Sequence, residues 1–340
     1  MDIAEILAWA ESRPFGLDDL EERAAQRYRM GSSLPLLRRG QVRCCIRDCE
    51  CWIQCRTRST FRNDAVFCPR HELSMSLSPT FIYRNHIQNF LIGQKLVDRV
   101  QKVERWRLGN ENSEDALTWN VFLGLARLGG LKSLFRLLTG TEAESEPELF
   151  LWGNRLWPEV SSWERLFEVR QQLESRRGIP TEPDAALRVP GQAVVLVEAK
   201  FGSPNGTFDK KGRTTRELEA FLSTYRARIE NVDPLKRDWI LNQEPRDVLE
   251  QLIRNIIFAQ WLAGQNEKPF VANLVRDIDA GNVEQVLGPH LNSGVVEFRR
   301  VTWEEIFRLP EIHTPEGLIL KQYLRQKTRN LAAAFSLTDP

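Results

Sequence analysis

The chain has 340 residues and a formal net charge of +1, with 47 Lys and Arg against 46 Asp and Glu. At roughly 150 residues per domain this allows about two domains with ample core. Hydrophobic residues make up 42% and charged residues 27%, which excludes an intrinsically disordered or low-complexity chain. Taken alone, near-neutrality also argues against a nucleic-acid coat or a polybasic membrane binder.

The N-terminus reads Met1-Asp2-Ile3-Ala4-Glu5, with an acid where a signal peptide carries a basic segment. Export is therefore not expected, and a cytoplasmic location is. No apolar run reaches the about 18 residues of a membrane span, and the longest, such as Ala193–Val197, are strand-sized. Ile3, Ile6, Leu7 and Ala10, then Leu17, Leu20, Ala24 and Tyr28, recur at helical spacing, and Gly31 to Pro35 breaks the pattern. Phe90, Leu91, Leu96, Val97, Val100, Val103 and Trp106 predict a long linking helix over Ile87–Trp106. Ser113–Leu128 reads as a capped helix, followed by an acidic loop with Glu142, Glu144, Glu146 and Glu148. Strands are expected at Leu149–Trp152, Asp184–Leu187, Ala193–Ala199, Phe270–Val275 and Gly294–Val301. Helices are expected at Trp163–Leu173, Thr214–Ile229, Arg246–Ala263, Trp303–Leu309 and Leu318–Arg325. Mixed strands with flanking helices indicate an α/β core.

The most informative segment is Glu182-Pro183-Asp184 followed by Val194-Val195-Leu196-Val197-Glu198-Ala199-Lys200. The continuous apolar run predicts a buried central strand, with Glu198 and Lys200 on one side of its end and Ala199 on the other. Gly191 lies midway between Asp184 and Glu198 in sequence. A tight hairpin centred there makes the two acids cross-strand neighbours, with Cβ atoms about 5 Å apart. Two ionised carboxylates so placed repel each other, and a divalent cation between them removes the repulsion. Oxygen-only ligands with open positions suit Mg2+ or Mn2+, which polarise a phosphoryl oxygen and activate water. Lys200 is placed to orient that water or offset phosphorane charge.

With Pro183-Asp184 and Glu198-Ala199-Lys200 at this spacing, the chain resembles the PD-(D/E)xK nuclease superfamily over roughly residues 113–275, about half its length. The resemblance implies a restriction-endonuclease-like mixed β-sheet flanked by helices. It also implies an Mg2+-dependent nuclease in which Asp184, Glu198 and the backbone carbonyl of Ala199 bind the metal. Members often carry an acid on a helix before the sheet, which points to Glu114 as a further ligand, with Asp115 its rival. They also carry a Gln or basic residue on a helix after it, which points to Gln251, with Arg254 as a phosphate contact. Lys210 and Lys211 follow the catalytic strand and read as a solvated loop. Gly202-Ser203-Pro204-Asn205-Gly206 lacks the residues of a nucleotide-binding loop.

All six cysteines, Cys44, Cys45, Cys49, Cys51, Cys55 and Cys68, fall within one short stretch. Such clustering suggests a local metal knot rather than dispersed disulfides. Cys45-x3-Cys49 and Cys68-x2-His71 supply four ligands for a structural Zn2+, with Cys44, Cys51 and Cys55 as alternatives for the first pair. A closed four-ligand site is non-catalytic. Arg38, Arg39, Arg43, Arg47, Arg56, Arg58, Arg62, Arg70 and Arg84 surround it, with Trp52, Phe61, Phe81 and Tyr83 interleaved. Arginines with aromatic platforms suit phosphate backbones and bases, or a partner protein.

The expected organisation is a helical and Cys-rich zinc module over 1–85, a linking helix over 86–110, a nuclease-like domain over 111–310 and a C-terminal helix and tail over 311–340. The expected function is metal-dependent hydrolysis of nucleic acid, DNA favoured over RNA, with the N-terminal module contacting substrate, a partner protein or a second copy. A catalytically silent binding or assembly subunit on the same fold is the alternative. Replacing Asp184 or Glu198 with Ala is expected to abolish cleavage and leave the fold intact. Fourteen basic residues against six acids between Arg38 and Arg107 give a local net charge of +8, so the remainder sums to −7. Near-neutrality is a cancellation between a basic arm and an acidic body.

Overall fold

The computed structural model describes residues 37–38, 41–44, 49–54, 66–75, 80–97, 100, 108–174, 182–202, 204–212, 214–226, 233–236, 244, 246, 248–279, 281, 283–292, 294–329 and 332–340. The chain divides into two compact units, Met1–Gly124 with Pro310–Pro340, and Leu125–Leu309. The helices expected between Ile3 and Tyr28 lie outside the described residues.

In the first unit, β1 (Leu37–Arg38), β2 (Gln41–Arg43) and β3 (Trp52–Gln54) form a small antiparallel sheet, and β4 (Leu73–Met75) pairs with β5 (Phe81–Tyr83). The continuous helix expected over Ile87–Trp106 is broken in its described part. A 3-10 turn spans His86–Asn89, Phe90 is extended, and a single helical turn follows at Gln94–Val97. The reason lies in side-chain amides. Asn120 accepts from the Leu91 amide and donates to the Asn89 carbonyl, while Asn89 donates to Leu108 and Asn110 carbonyls. These bonds capture backbone groups that a helix would pair internally. The apolar spacing survives because Phe90, Leu91 and Val97 are buried all the same. In the same unit the Glu111 carboxylate accepts from the Tyr83 hydroxyl and pairs with buried Lys327.

Helix α1 (Glu114–Arg127) is capped by the Ser113 hydroxyl, which accepts from the Ala116 amide. Next come α2 (Leu131–Thr139), β6 (Glu148–Leu151), β7 (Asn154–Trp157), β8 (Ser161–Ser162) and α3 (Glu164–Glu174). The hairpin strands β9 (Ala185–Val189) and β10 (Ala193–Ala199) lead into α4 (Thr215–Arg226) and α5 (Glu250–Leu262). The unit closes with β11 (Lys268–Val275), β12 (Glu297–Thr302) and α6 (Trp303–Phe307). One mixed seven-stranded sheet runs in the order β12-β11-β10-β9-β6-β7-β8. β10, β11 and β12 are parallel to one another, β9 runs against β10, and β6, antiparallel to β9, shares the direction of β10.

Every residue of β10 is buried, as its uninterrupted apolar sequence requires of a central strand covered on both faces. One face carries Ala186, Val194, Leu196 and Val271 against Leu166 and Val169 of α3, Leu218 and Phe221 of α4, and Leu252 and Ile256 of α5. Each such side chain withdrawn from water contributes about 1.5–3 kcal/mol. On the sheet's β11–β12 side, α2 packs against both strands. Its Leu131, Leu134, Phe135 and Leu138 fall at helical spacing and are all buried.

The β9–β10 turn holds Gly191 at φ +77°, a conformation glycine adopts without strain. A second contact fixes this turn from outside. The Glu267 carboxylate receives the Arg188 guanidinium at 2.7 and 2.9 Å, the Gly191 amide at 3.1 Å and the Gly264 amide at 2.9 Å. Burial opposes its charge, but these donors hold the carboxyl below the ordinary glutamate range. A depressed carboxyl stabilises the fold above its unfolded pKa, and that stability is lost as pH falls through the folded value. Glu267→Gln is therefore expected to cost about 1–3 kcal/mol near neutral pH. Denaturant unfolding should show the gap from wild type closing below about pH 4. A pH-independent gap would contradict this role for the charge.

Candidate active site

The hairpin register is the first determinant of the site. Ala193 pairs with Val189 and Val197 with Ala185, so the ladder is symmetric about Gly191. The ladder ends at Val197 and Ala185, and just beyond it the Asp184 carboxylate accepts from the Ala199 amide, which brings Asp184 beside the end of β10. Directly paired residues share a face, and alternate residues along a strand return to it. Glu198 and Lys200 alternate with Val194 and Leu196 and therefore project to the face covered by α5, at the end of β10 where the apolar run stops, with Asp184 beside them.

Glu198 is 2% and Lys200 5% exposed. The Lys200 ammonium lies 2.5 Å from Glu198 Oε1. The other oxygen, Oε2, accepts from Asn255 Nδ2 at 2.9 Å. Asp184 is half-buried, and its Oδ2 accepts from the Ala199 amide at 2.9 Å. The backbone at this point is held from two sides. Lys200 N donates to the Leu274 carbonyl and Lys200 O accepts from the Trp303 indole at 3.0 Å. Asn273, fully buried and the register partner of Glu198 on β11, donates to the Glu198 carbonyl at 3.1 Å. Its side chain is paired in turn with Asn205, in the loop that follows β10.

The ionised side chains of Asp184, Glu198 and Lys200 sum to −1. Two carboxylates on neighbouring strands with that net charge suit a divalent cation bound through oxygen. An isolated surface hairpin would not bury this lysine and glutamate together.

The flanking expectations fare differently. Gln251 lies on α5 as expected but is exposed; Asn255, one turn further along the same helix, meets Glu198. Sequence reasoning missed it, though its spacing of four from Gln251 places both on one helix face. Arg254 pairs with Glu250 on its own helix and lies over the Phe221 ring at 5.5 Å. Glu114 opens α1 in the first unit, and its backbone carbonyl accepts from the Thr118 hydroxyl. Asp115 follows it in the same turn. Lys210 and Lys211 belong to a 3-10 turn at Phe208–Lys211. Arg56, Arg58 and Arg62 lie outside the described residues.

In the first unit, Cys44, Cys49, Cys68 and His71 bring their ligand atoms within 4.8 Å of one another. Cys45, the expected ligand, lies outside the described residues, and its neighbour Cys44 completes the quartet. Cys44 follows β2 directly and its amide bonds to the Cys51 carbonyl, closing the loop that carries Cys49. Metal bonds of about 2.3 Å to sulfur and about 2.0 Å to nitrogen give tetrahedral edges of about 3.8 and about 3.5 Å. The Cys49–Cys68 sulfurs are 3.7 Å apart, and His71 Nδ1 is 3.5 Å from the sulfurs of both Cys44 and Cys68. These edges fit one small tetrahedral ion. Burial pushes the Cys68 thiol up, and the neighbouring Cys44 thiol adds to the shift. Burial and the nearby Cys49 and Cys68 push Cys51, which is outside the quartet, up to about 11.

A mixed sheet flanked by helices, with a carboxylate pair and a lysine at the end of its central strand, is the restriction-endonuclease-like α/β fold. The profile of the family described as Restriction Endonuclease associating with ARP matches residues 76–327, and the chain belongs to that family. No curated protein and no solved structure matches the chain. Among the described residues, no helix is long and apolar enough to cross a membrane.

Proposed function

We propose that the protein is a metal-dependent nuclease. The observation that carries this reading is the buried Glu198–Lys200 pair at the end of central strand β10, with Asp184 bonded to the Ala199 amide between them. Asp184 and Glu198 hold Mg2+ or Mn2+, assisted by the Ala199 carbonyl. When bound, the cation supplies Lewis-acid stabilisation of phosphoryl charge. Asp184 and Glu198 fix its position, and the Ala199 amide orients Asp184 for that task. Lys200, exchanged from Glu198 to the reacting phosphate, orients the attacking water and offsets negative charge as it develops. The Cys44, Cys49, Cys68 and His71 quartet holds a structural Zn2+, and the basic segment around it contacts nucleic acid, DNA favoured.

The reading is tested by incubating single- and double-stranded DNA and RNA with the purified protein and Mg2+ or Mn2+, against a chelator control. Cleavage that requires the metal is expected. The family's description supplies the second reading, a subunit acting through association with a protein partner. Absence of cleavage across the panel, with no divalent cation bound, favours that one.

A further inference from the structure

Asn255 is 1% exposed, on a stretch of α5 where Leu252, Ile253, Ile256 and Ile257 are buried in the apolar core. A carboxamide in such surroundings costs free energy unless its donors are used. Its amide spends one of them on Glu198 Oε2, 57 residues away in sequence. The carboxylate is thus held at both oxygens, by an ammonium on Oε1 and by a neutral amide on Oε2.

These two partners differ in one physical respect. Lys200 neutralises the carboxylate and competes with an incoming cation for its charge. Asn255 orients the carboxylate and leaves the charge in place. Replacement of Lys200 by a cation at Oε1 therefore requires no movement of Asn255. The start of α5 is fixed to the segment after β10, where Phe208 N donates to the Val248 carbonyl and Thr207 bridges to Leu249. Helix and catalytic strand are consequently tied together near the point where the amide is needed.

We propose that Asn255 is a positioning residue for the divalent cation, holding Glu198 Oε2 so that Oε1 is presented to the metal. This inference rests on the nuclease reading and assigns to Asn255 the task the sequence suggested for Gln251. Partners of this kind, behind a metal ligand, typically contribute about 10–100-fold to metal affinity.

The test is calorimetric titration of Mn2+ into the full-length protein, alongside the Mg2+ dependence of cleavage. Asn255→Ala is expected to weaken Mn2+ binding by about 10–100-fold. Its cleavage deficit should be greatest at limiting Mg2+ and narrow as Mg2+ saturates. Asn255→Leu keeps the branch at Cγ, leaves no cavity in the apolar surroundings and should behave alike, which separates loss of the amide from loss of packing. Gln251→Ala should bind Mn2+ as wild type does. Wild-type Mn2+ affinity in either Asn255 variant overturns the inference and leaves the nuclease reading standing. A wild-type protein that neither binds Mn2+ nor cleaves overturns the reading itself.

Discussion

Asp184→Asn is expected to reduce metal-dependent cleavage about 10²–10³-fold, the scale of losing one preorganised electrostatic group at a reacting centre, while the protein stays folded. Asparagine keeps an oxygen to accept from the Ala199 amide, so only the charge and one metal-binding oxygen are lost. Circular dichroism and thermal unfolding, run beside the cleavage assay, separate the two effects. Glu198 behaves differently, and here the structure changes the expectation that Glu198→Ala leaves the fold intact. Truncating Glu198 leaves Lys200 buried without its close carboxylate, and breaking a buried pair at one end costs about 3–5 kcal/mol. Glu198→Ala should therefore lose stability as well as activity. The double variant Glu198→Gln with Lys200→Met removes both charges and should recover much of that stability with no cleavage. If the double variant is no more stable than Glu198→Ala, the buried pair is not the source of the loss.

Loss of zinc is the second large effect. Structural zinc contributes about 10–16 kcal/mol to the folding of small zinc modules, and the quartet joins the β2–β3 segment to the turn before β4. Cys68→Ser or His71→Ala should eliminate bound zinc, measured by elemental analysis of the purified protein. The same changes should make the N-terminal segment sensitive to protease. Cys44→Ser should do likewise, whereas Cys45→Ser and Cys51→Ser should retain zinc. Retention by Cys44→Ser with loss by Cys45→Ser would restore the ligand set expected from sequence.

The acid pair was legible because it depends on local rules. A strand alternates with period two, and glycine at the centre of a tight turn fixes the register, so Asp184 and Glu198 could be counted into opposition. The apolar run of β10 likewise identified a central strand. What escaped was set at longer range. Gln251 and Asn255 share a helix face, and the depth at which α5 crosses the sheet decides which turn reaches Glu198. Nothing in the local sequence encodes that depth. The choice between Cys44 and Cys45 depends on where β2 ends. The supposed linking helix failed because apolar spacing records burial, whereas Asn89 and Asn120 redirected the backbone bonds a helix needs. Helix α2 was missed although Leu131, Leu134, Phe135 and Leu138 carry its period; its signal stood beside a glycine pair and an acidic loop and was absorbed into them.

The fourteen basic residues between Arg38 and Arg107 share their stretch of sequence with the zinc quartet. The central claim, however, concerns the acid pair: Asp184 and Glu198 together form a divalent-cation site. Calorimetric titration of Mn2+ into wild type and Asp184→Asn, both with zinc in place, tests it most directly. One saturable site in wild type, lost in Asp184→Asn, is the predicted result; equal Mn2+ binding by the two proteins would contradict it.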